Sequence, residues 1–331
     1  MDIEVLTQVN FADPTQELAL AVLEGLSSHP KSLPSRLFYD DRGSQLFQQI
    51  MASEDYYPTR CEAEILSKDS GQIASKFGGK KFNLIELGSG DGAKTKILLR
   101  HLLDEQAQFL YAPLDISKGA IESLNKTLKT EFGESLPFDV KGLVAEYFNG
   151  LAWMTQNTSE QNLVLFLGSN IGNFTKSTAL RFLRHLWQVL NHGDRVLIGF
   201  DLKKDLDVLY YAYNDREGIT REFNFNVLDR INRELGANFD RARFQHHGLY
   251  NTQTGAMESY LLSQSHQQVQ VDELGKSFEL RPWEPIHMEY SYKYLIDDIE
   301  FLAANTGFRI EEHFSDSKGY FVDSLWQVNK S

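Results

Sequence analysis

Apolar runs alternate with amphipathic segments through the middle of the chain. The apolar runs begin the stretches at 82–92, 109–117, 162–174 and 195–202. Between them lie segments whose apolar residues recur every three to four positions, which is the spacing of a helix packed on a sheet. Strands that are apolar on both faces and separated by helices predict a parallel sheet covered on both sides.

The pattern changes after Leu202. Residues 205–236 predict helices rich in aromatic and asparagine side chains, and residues 255–291 predict several antiparallel strands. The two apolar stretches at 308–316 and 320–328 predict a hairpin. The sheet of the central region is therefore expected to resume near the carboxyl end.

This arrangement predicts two domains, which a length of 331 residues allows. Residues 61–202 together with 292–331 are expected to form an α/β core. Residues 1–60 together with 203–291 are expected to form a second, smaller α+β domain.

Composition narrows the classes of protein to be considered. The chain has 33 Lys plus Arg against 46 Asp plus Glu, a net charge of −13, which argues against a broad nucleic-acid-binding surface. No apolar run approaches the roughly 18 residues of a membrane span. Cys61 is the only cysteine, so an intramolecular disulfide is excluded. The nine histidines lack metal-ligand spacing. We expect a cytoplasmic monomer with no metal, no nucleic-acid partner and no membrane association.

A glycine-rich turn follows the first of the buried strands. The motif ELGSGDG at 86–92 reads G-x-G-x-G, whereas dinucleotide binding requires G-x-G-x-x-G. A leading acid such as Glu86 is typical of methyltransferases that use S-adenosylmethionine (SAM), where it meets the ammonium of the methionine moiety. Gly88 and Gly90 let the backbone approach such a ligand closely. A tight turn without a ligand is the alternative.

Acidic residues follow the next two strands in a compatible order. Asp115 ends the second strand, where a carboxylate can accept hydrogen bonds from both hydroxyls of a ribose. The alternative role is the N-cap of the next helix, for which Ser117 competes. Glu146 and Tyr147 follow the expected third strand, where an acid and an aromatic ring suit an adenine. A solvated acid and a core tyrosine are the alternative there.

Three other function classes share this fold pattern. A nicotinamide-dependent oxidoreductase is disfavoured by the glycine spacing. A nucleic-acid base methyltransferase is disfavoured because residues 168–174, GSNIGNF, lack the Asp/Asn-Pro-Pro-aromatic loop. A non-catalytic SAM-binding protein remains an alternative, since fold does not imply function.

Longer segments of the chain resemble a known family. They are KSLPSRLFYDDRGSQLF (31–47), YYPTRCEAEIL (56–66), IELGSGDGAKT (85–95), FLGSNIGNF (166–174), DLKKD (201–205), AYNDREGITREFNFNVLDRINRELGANFD (212–240) and MEYSYKY (288–294). With them the chain resembles the L-histidine Nα-methyltransferases of ergothioneine biosynthesis. These enzymes use SAM to convert histidine to hercynine, its trimethylbetaine. The resemblance runs from about Lys31 to the carboxyl end.

The resemblance implies a Rossmann-like class I SAM-dependent methyltransferase core with a substrate-binding domain, and S-adenosylhomocysteine as coproduct. The SAM site it implies consists of Glu86, Gly88, Gly90, Lys94, Asp115, Glu146 and Tyr147. Most members carry Asp-Phe where this chain has Glu146 and Tyr147, which is a conservative departure.

The resemblance also implies a site for a free amino acid. Its members here are Tyr56, Gly168, Asn173, Tyr213, Ser259, Glu289 and Ser291. Asn173 and Tyr213 are expected to donate to the substrate carboxylate, while Glu289 and Ser291 hold the imidazole. Tyr39 and Tyr56 are the expected catalytic residues, which orient the α-amine with a bound water.

One position departs from the family in a way that bears on the substrate. The family commonly places a methionine against the imidazole, and the matching stretch here is MESYL (257–261), with Ser259 at that place. The smaller, more polar side chain keeps a thiolated histidine or a tryptophan derivative open as the substrate. Glu289 favours a basic or N–H-rich side chain, because a carboxylate is a poor partner for an apolar rim.

Overall fold

The computed structural model describes residues 2–6, 14–90 and 92–330. Its strands are β1 (Asp2–Val5), β2 (Lys31–Ser32), β3 (Phe82–Leu87), β4 (Phe109–Asp115), β5 (Asp139–Val144), β6 (Gln161–Phe166), β7 (Arg195–Asp201), β8 (Phe244–Asn251), β9 (Ala256–Ser263), β10 (Gln267–Val271), β11 (Lys276–Leu280), β12 (Pro285–Tyr292), β13 (Phe308–Ser315) and β14 (Phe321–Val328). Its α-helices are α1 (Pro14–Ser27), α2 (Asp41–Ala52), α3 (Tyr57–Ser75), α4 (Ala93–Asp104), α5 (Lys118–Phe132), α6 (Tyr147–Asn157), α7 (Lys176–Val189), α8 (Leu206–Tyr213), α9 (Ile219–Leu235) and α10 (Ile296–Thr306). The predicted alternation of strands and helices in the central region is confirmed.

The chain divides into two compact units. Within the described residues, the first unit draws on 2–6, 58–90, 92–203 and 294–330, and the second on 14–57 and 204–293. The amino-terminal strand corrects one predicted boundary, which had assigned residues 1–60 to the second domain. β1 pairs in parallel with β5, with Asp2 opposite Lys141, and so lies in the sheet of the first unit. A strand of four residues with no apolar run carries no signal in the sequence.

The first unit is built on an eight-stranded sheet. Its order is β1-β5-β4-β3-β6-β7-β14-β13. The first six strands in this order run parallel to one another. Every residue of β3 and of β7 is buried, as expected of strands covered on both faces. The strands that follow β3 in the chain lie on both sides of it: β4 and β5 on one side, and β6 and β7 on the other. Ligands of open α/β sheets bind at the carboxyl ends of strands where the order reverses in this way.

The carboxyl-terminal hairpin completes this sheet. β14 pairs antiparallel with both β7 and β13. The turn between β13 and β14 contains Gly319 at a φ of +65°, a conformation that glycine adopts without strain. The predicted return of the sheet at the carboxyl end is confirmed.

The second unit has a four-stranded sheet in the order β2-β12-β9-β8 and a two-stranded sheet of β10 and β11. β8, β9 and β12 form an antiparallel set, as predicted for this region. The apolar core of the unit gathers residues from α1, α2 and α9 and from the strands, and within it Phe38 stacks on Phe223 with ring centroids 4.5 Å apart. Burial of this core fixes which face of the antiparallel strands points inward.

None of the helices within the described ranges has the length and apolar character required to cross a bilayer.

Candidate active site

The glycine-rich turn leaves β3 at the carboxyl edge of the sheet. Gly88 and Gly90 have φ values of +68° and +51°, which residues with a Cβ adopt only under strain. A Cβ on Gly88 would stand 2.6 Å from the Tyr147 hydroxyl, whereas a Cβ on Gly90 would meet no described atom within 4 Å. The turn is therefore covered by Tyr147 at one end and open at the other, as close approach of a ligand to the backbone requires.

Glu86 lies one residue before the end of β3 and is buried. Its two carboxyl oxygens accept hydrogen bonds from the hydroxyls of Thr95, on α4, and Tyr111, on β4. Burial raises the pKa of Glu86 to about 7, and the two hydroxyls and the charge of Lys94 oppose the rise. Glu86 therefore ties the glycine-rich turn to its neighbours. Sequence reasoning missed Thr95 and Tyr111.

Asp115 ends β4 at the same edge of the sheet. Its Oδ1 accepts from the backbone N–H of Ser117 at 2.8 Å, and burial raises its pKa. Ser117 caps α5, because its hydroxyl accepts from the N–H of Ala120 at 3.2 Å. The alternative role of Asp115 as the helix cap is therefore wrong.

Glu146 and Tyr147 follow β5, next to Asp115 along the sheet edge. Burial, assisted by the Asp115 charge, raises the pKa of Tyr147 to about 12, so the phenol stays protonated. Glu146 is exposed and stands directly before α6 without capping it through its side chain. Glu146 thus remains accessible to a ligand, while the Tyr147 ring covers the start of the glycine-rich turn.

Lys94 is held by a buried carboxylate that sequence reasoning missed. Its ammonium pairs with Glu62 of α3, whose side chain is fully enclosed. The other Glu62 oxygen accepts from the backbone N–H of Gly168 at 2.7 Å. Burial, together with the charge of Glu62, raises the pKa of the enclosed Asp323 well above its usual range. A glutamate on the apolar stripe of α3, beside Ile65, was the available signal.

The loop after β6 carries Gly168 and Asn173. Gly168 has a φ of +78°, and Ser169 is also left-handed, with its Oγ accepting from the N–H of Asp201 at 3.1 Å. Asn173 ends a short 3-10 helix and is partly exposed. The structure thus brings the predicted residues of the first unit to the carboxyl ends of β3, β4, β5 and β6.

In the second unit, β9 and β12 present three predicted residues on one face. Glu289 stands opposite Ser259, and Ser291 stands opposite Met257. The register shifts between His287 and Glu289, so one extra residue is accommodated in β12. A bulge of this kind re-aims the side chains that follow it. Without the shift, Glu289 and Ser291 would point to the other face of the sheet.

Ser291 forms hydrogen bonds with two buried side chains, those of Lys293 and Tyr213. Lys293 Nζ lies 2.8 Å from the Tyr213 hydroxyl and 2.9 Å from Ser291 Oγ. The Tyr213 hydroxyl donates to Ser291 Oγ at 2.6 Å. The single hydroxyl hydrogen of Tyr213 is thus used within the unit. Donation to a substrate carboxylate, as predicted for Tyr213, would require that hydrogen to leave Ser291.

Glu289 is crowded by protein atoms yet keeps part of its surface open to solvent. Burial raises its pKa to about 7, and the positive charge of Lys293 opposes the rise. No residue in the described part of the chain donates a hydrogen bond to its carboxylate. Glu289 is therefore an acceptor with capacity left for a ligand.

Tyr39 and Tyr56 lie in a second cluster of the same unit. Both rings pack edge-on against Phe47, with centroids 5.6 Å and 6.3 Å away, and Tyr39 also meets Phe223 at 5.7 Å. Tyr39 is 44% exposed. The two tyrosines predicted to be catalytic are thus brought together on an aromatic surface, which suits a cationic group.

Sequence reasoning missed Lys293, Phe47 and Phe223. Glu289, Ser291 and Lys293 are spaced two residues apart, as side chains on one face of a strand are. This period was the signal that could have found Lys293. Phe47 and Phe223 carry no comparable signal, because an aromatic residue on an amphipathic helix usually belongs to the core.

Comparison with known proteins identifies the family. A profile described as "Histidine-specific methyltransferase, SAM-dependent" matches residues 18–328. The chain belongs to this family. Membership confirms the predicted class I methyltransferase core, the enzyme class and SAM as the methyl donor.

Three relatives are similar to most of this chain. The chain is 36% identical over 304 residues to the histidine N-alpha-methyltransferase of Mycolicibacterium smegmatis, covering 92% of each chain. It is 34% identical over 260 residues to ergothioneine biosynthesis protein 1 of Neurospora crassa, covering 74% of this chain and 29% of that longer protein. It is 26% identical over 331 residues to the L-tryptophan methyltransferase of Psilocybe serbica, covering 93% and 92%.

The residues of the first unit fit SAM. The open side of the turn at Gly90 admits a ligand against the backbone, and Asp115 offers a carboxylate beyond the neighbouring strand. Lys94 contributes a positive charge beside the loop at Gly168. These groups match the ribose and the amino-acid end of SAM in chemistry.

Proposed function

We propose that this protein transfers methyl groups from SAM to the α-amine of L-histidine, up to three times, and forms hercynine in ergothioneine biosynthesis. The observation that carries the proposal is the Glu289–Ser291 pair on β12, a carboxylate acceptor beside a hydroxyl on one strand face. This pair suits the two nitrogens of an imidazole. It lies in a member of a family described as histidine-specific.

The first unit supplies the groups for the methyl donor, whose sulfonium provides an electrophilic methyl. Asp115 accepts from the ribose hydroxyls, and Lys94 pairs with the carboxylate of the amino-acid end. Glu146 accepts from the adenine amine, and the Tyr147 ring lies against the base. Glu86 keeps the glycine-rich turn in shape through Thr95 and Tyr111.

The amine must be neutral to act as a nucleophile. A neighbouring positive charge lowers the pKa of an amine, so no strong base is needed. Tyr39 and Tyr56 orient the amine and pass its proton to water. In-line alignment of the reacting atoms supplies most of the acceleration. The ring surface formed with Phe47 accommodates the growing ammonium through cation–π contact.

Recognition of the substrate carboxylate is assigned to Asn173. Its side chain is partly exposed at the end of its short helix, in the loop that begins at Gly168. An amide N–H donates well to a carboxylate. We further propose that the protein acts on this small molecule as a cytoplasmic monomer, without nucleic acid or membrane as partner.

The deciding experiment offers purified protein SAM and an equimolar pool of amino acids, and follows products by mass spectrometry. We expect histidine carrying three methyl groups, together with S-adenosylhomocysteine. The same assay on the variant Glu289→Ala tests the role of the carboxylate. This variant should methylate histidine far less than the wild type while still binding SAM. SAM binding without any methylated product would support a non-catalytic role and contradict the proposal.

A second candidate substrate rests on Ser259. This residue stands opposite Glu289, where the family commonly carries methionine, and its small side chain occupies little volume there. A thiolated histidine or a tryptophan derivative therefore belongs in the same pool. Methylation of one of these in preference to histidine would keep the enzyme class and change the substrate.

A further inference from the structure

Lys293 is a buried cation that none of the predicted roles uses. Only 3% of its surface is exposed, and lysine is almost never fully buried unless its charge is paired. It follows the last residue of β12 and reaches back to Ser291 and across to Tyr213. Its ammonium also stands 4.7 Å from the centre of the Tyr213 ring.

The direction of the hydrogen bonds in this network follows from the chemistry of the ammonium. A protonated lysine only donates, so the oxygens of Tyr213 and Ser291 both act as acceptors toward Lys293. Tyr213 then gives its one hydrogen to Ser291. Ser291 Oγ therefore accepts from two donors, and both of its lone pairs are used.

The hydrogen of the Ser291 hydroxyl is what remains for a ligand. No described residue accepts it, and the serine is 5% exposed on the face that carries Glu289. Ser291 is thereby restricted to donating, and ionised Glu289 is restricted to accepting. A ring with one N–H and one unprotonated nitrogen can donate to Glu289 and accept from Ser291. A ring whose only nitrogen is an N–H leaves the serine hydrogen without an acceptor.

We propose that Lys293 is a specificity-determining positioning residue, which fixes Ser291 as a hydrogen-bond donor and so selects the neutral imidazole ring. The proposal rests on the proposed function, because it concerns recognition of the histidine side chain. Lys293 acts through Ser291 and Tyr213 and does not itself touch the substrate.

The test compares two ligands that differ by one ring nitrogen. L-histidine and β-(2-pyrrolyl)-L-alanine both carry a ring N–H, but only histidine has a bare nitrogen to accept from Ser291. Binding of each is measured by calorimetry with S-adenosylhomocysteine present, so the result does not depend on turnover. The wild type should prefer histidine by roughly tenfold or more, the cost of leaving a buried donor unpaired.

The variants separate the role of Lys293 from a general effect on folding. Lys293→Met frees a lone pair on Ser291 and should reduce the preference to within about threefold, mainly through weaker histidine binding. Lys293→Arg retains an obligate donor and should keep the preference. Lys276→Met makes the same substitution at an exposed site of the same unit and should change nothing. Melting curves and binding of S-adenosylhomocysteine report on folding.

The outcomes test the role of Lys293 and the proposed function separately. A folded Lys293→Met protein that keeps the wild-type preference overturns the role of Lys293. If that variant does not fold, Lys293→Gln gives the same comparison, since its amide can accept from Ser291 as well as donate. A wild type that binds histidine selectively but methylates none of it overturns the proposed function and leaves the role of Lys293 supported.

Discussion

Two glutamates, one in each unit, have the same shifted pKa and opposite hydrogen bonding. Burial raises the pKa of both Glu86 and Glu289 to about 7. Glu86 has each oxygen engaged by a hydroxyl, from Thr95 and Tyr111. Glu289 has a nearby charge, Lys293, and no hydrogen-bond donor within the residues that the structure describes.

The difference separates a carboxyl group whose two oxygens are both engaged by protein hydroxyls from one that has hydrogen-bonding capacity left for a ligand. A buried acceptor without a donor costs about 1–3 kcal/mol, so a protein retains one where something else supplies the donor. A raised pKa alone would have assigned the same role to both residues. Hydrogen-bond partners, rather than burial, distinguish the group that holds the glycine-rich turn from the group that we propose meets the substrate.

The largest expected effect concerns Glu289. Glu289→Ala should raise KM for histidine about 100-fold, because a charge-assisted hydrogen bond to the ring N–H is lost. KM for SAM should stay unchanged. Steady-state kinetics measure both constants, with Glu279→Ala as the control at an exposed glutamate of the same unit. Unaltered histidine kinetics would remove Glu289 from the site.

The second effect concerns stability and Glu86. Its folded-state pKa lies above its unfolded value, so the folded protein binds the extra proton and loses stability as the pH rises between the two. From pH 5 to 7 this loss should amount to about 2 kcal/mol. Urea unfolding across this range should show a flatter pH dependence in Glu86→Gln than in the wild type.

The same measurement on Glu289→Gln tests whether the second glutamate is linked to folding as strongly as the first. Glu289 is partly open to solvent, which weakens the link between its protonation and folding. Its variant should flatten the pH dependence less than Glu86→Gln does. An equal effect from both variants would mean that the partial exposure of Glu289 does not weaken the link between its protonation and folding.

A smaller effect is expected at the carboxylate end of the substrate. Asn173→Ala should raise KM for histidine about tenfold through loss of one hydrogen bond to a charged group. Binding of SAM, measured by calorimetry, should not change. Asn305→Ala, at an exposed amide on α10, serves as the control. A wild-type KM would exclude Asn173 from carboxylate recognition.

The smallest effect concerns Ser259. Ser259→Met restores the residue that the family commonly carries and fills space opposite Glu289. Discrimination between histidine and tryptophan should increase by no more than about tenfold. Competition between the two amino acids, followed by mass spectrometry, gives the ratio. Easier use of tryptophan would show that the serine does not widen the pocket.

Much of the core could be predicted because its signals are local. β3, β4, β6 and β7 are apolar runs, Gly88 directly follows β3, and Asp115 is the last residue of β4. The four-residue strand β1 was missed because it carries no pattern, and it was wrongly assigned to the second domain. Glu62 and Asp323 were missed because their contacts join α3 to a strand at the far end of the chain.

The α/β core, the glycine-rich turn, the family and the residue types of the candidate site can all be deduced from the sequence. How those residues pair depends on the tertiary structure. The bulge in β12 sets the face of Glu289, and Lys293 meets Tyr213 from 80 positions away. Strand periodicity and turn chemistry are local properties of the chain. The direction of a hydrogen bond depends on which donor folding brings to an oxygen, and that is settled only when distant segments pack together.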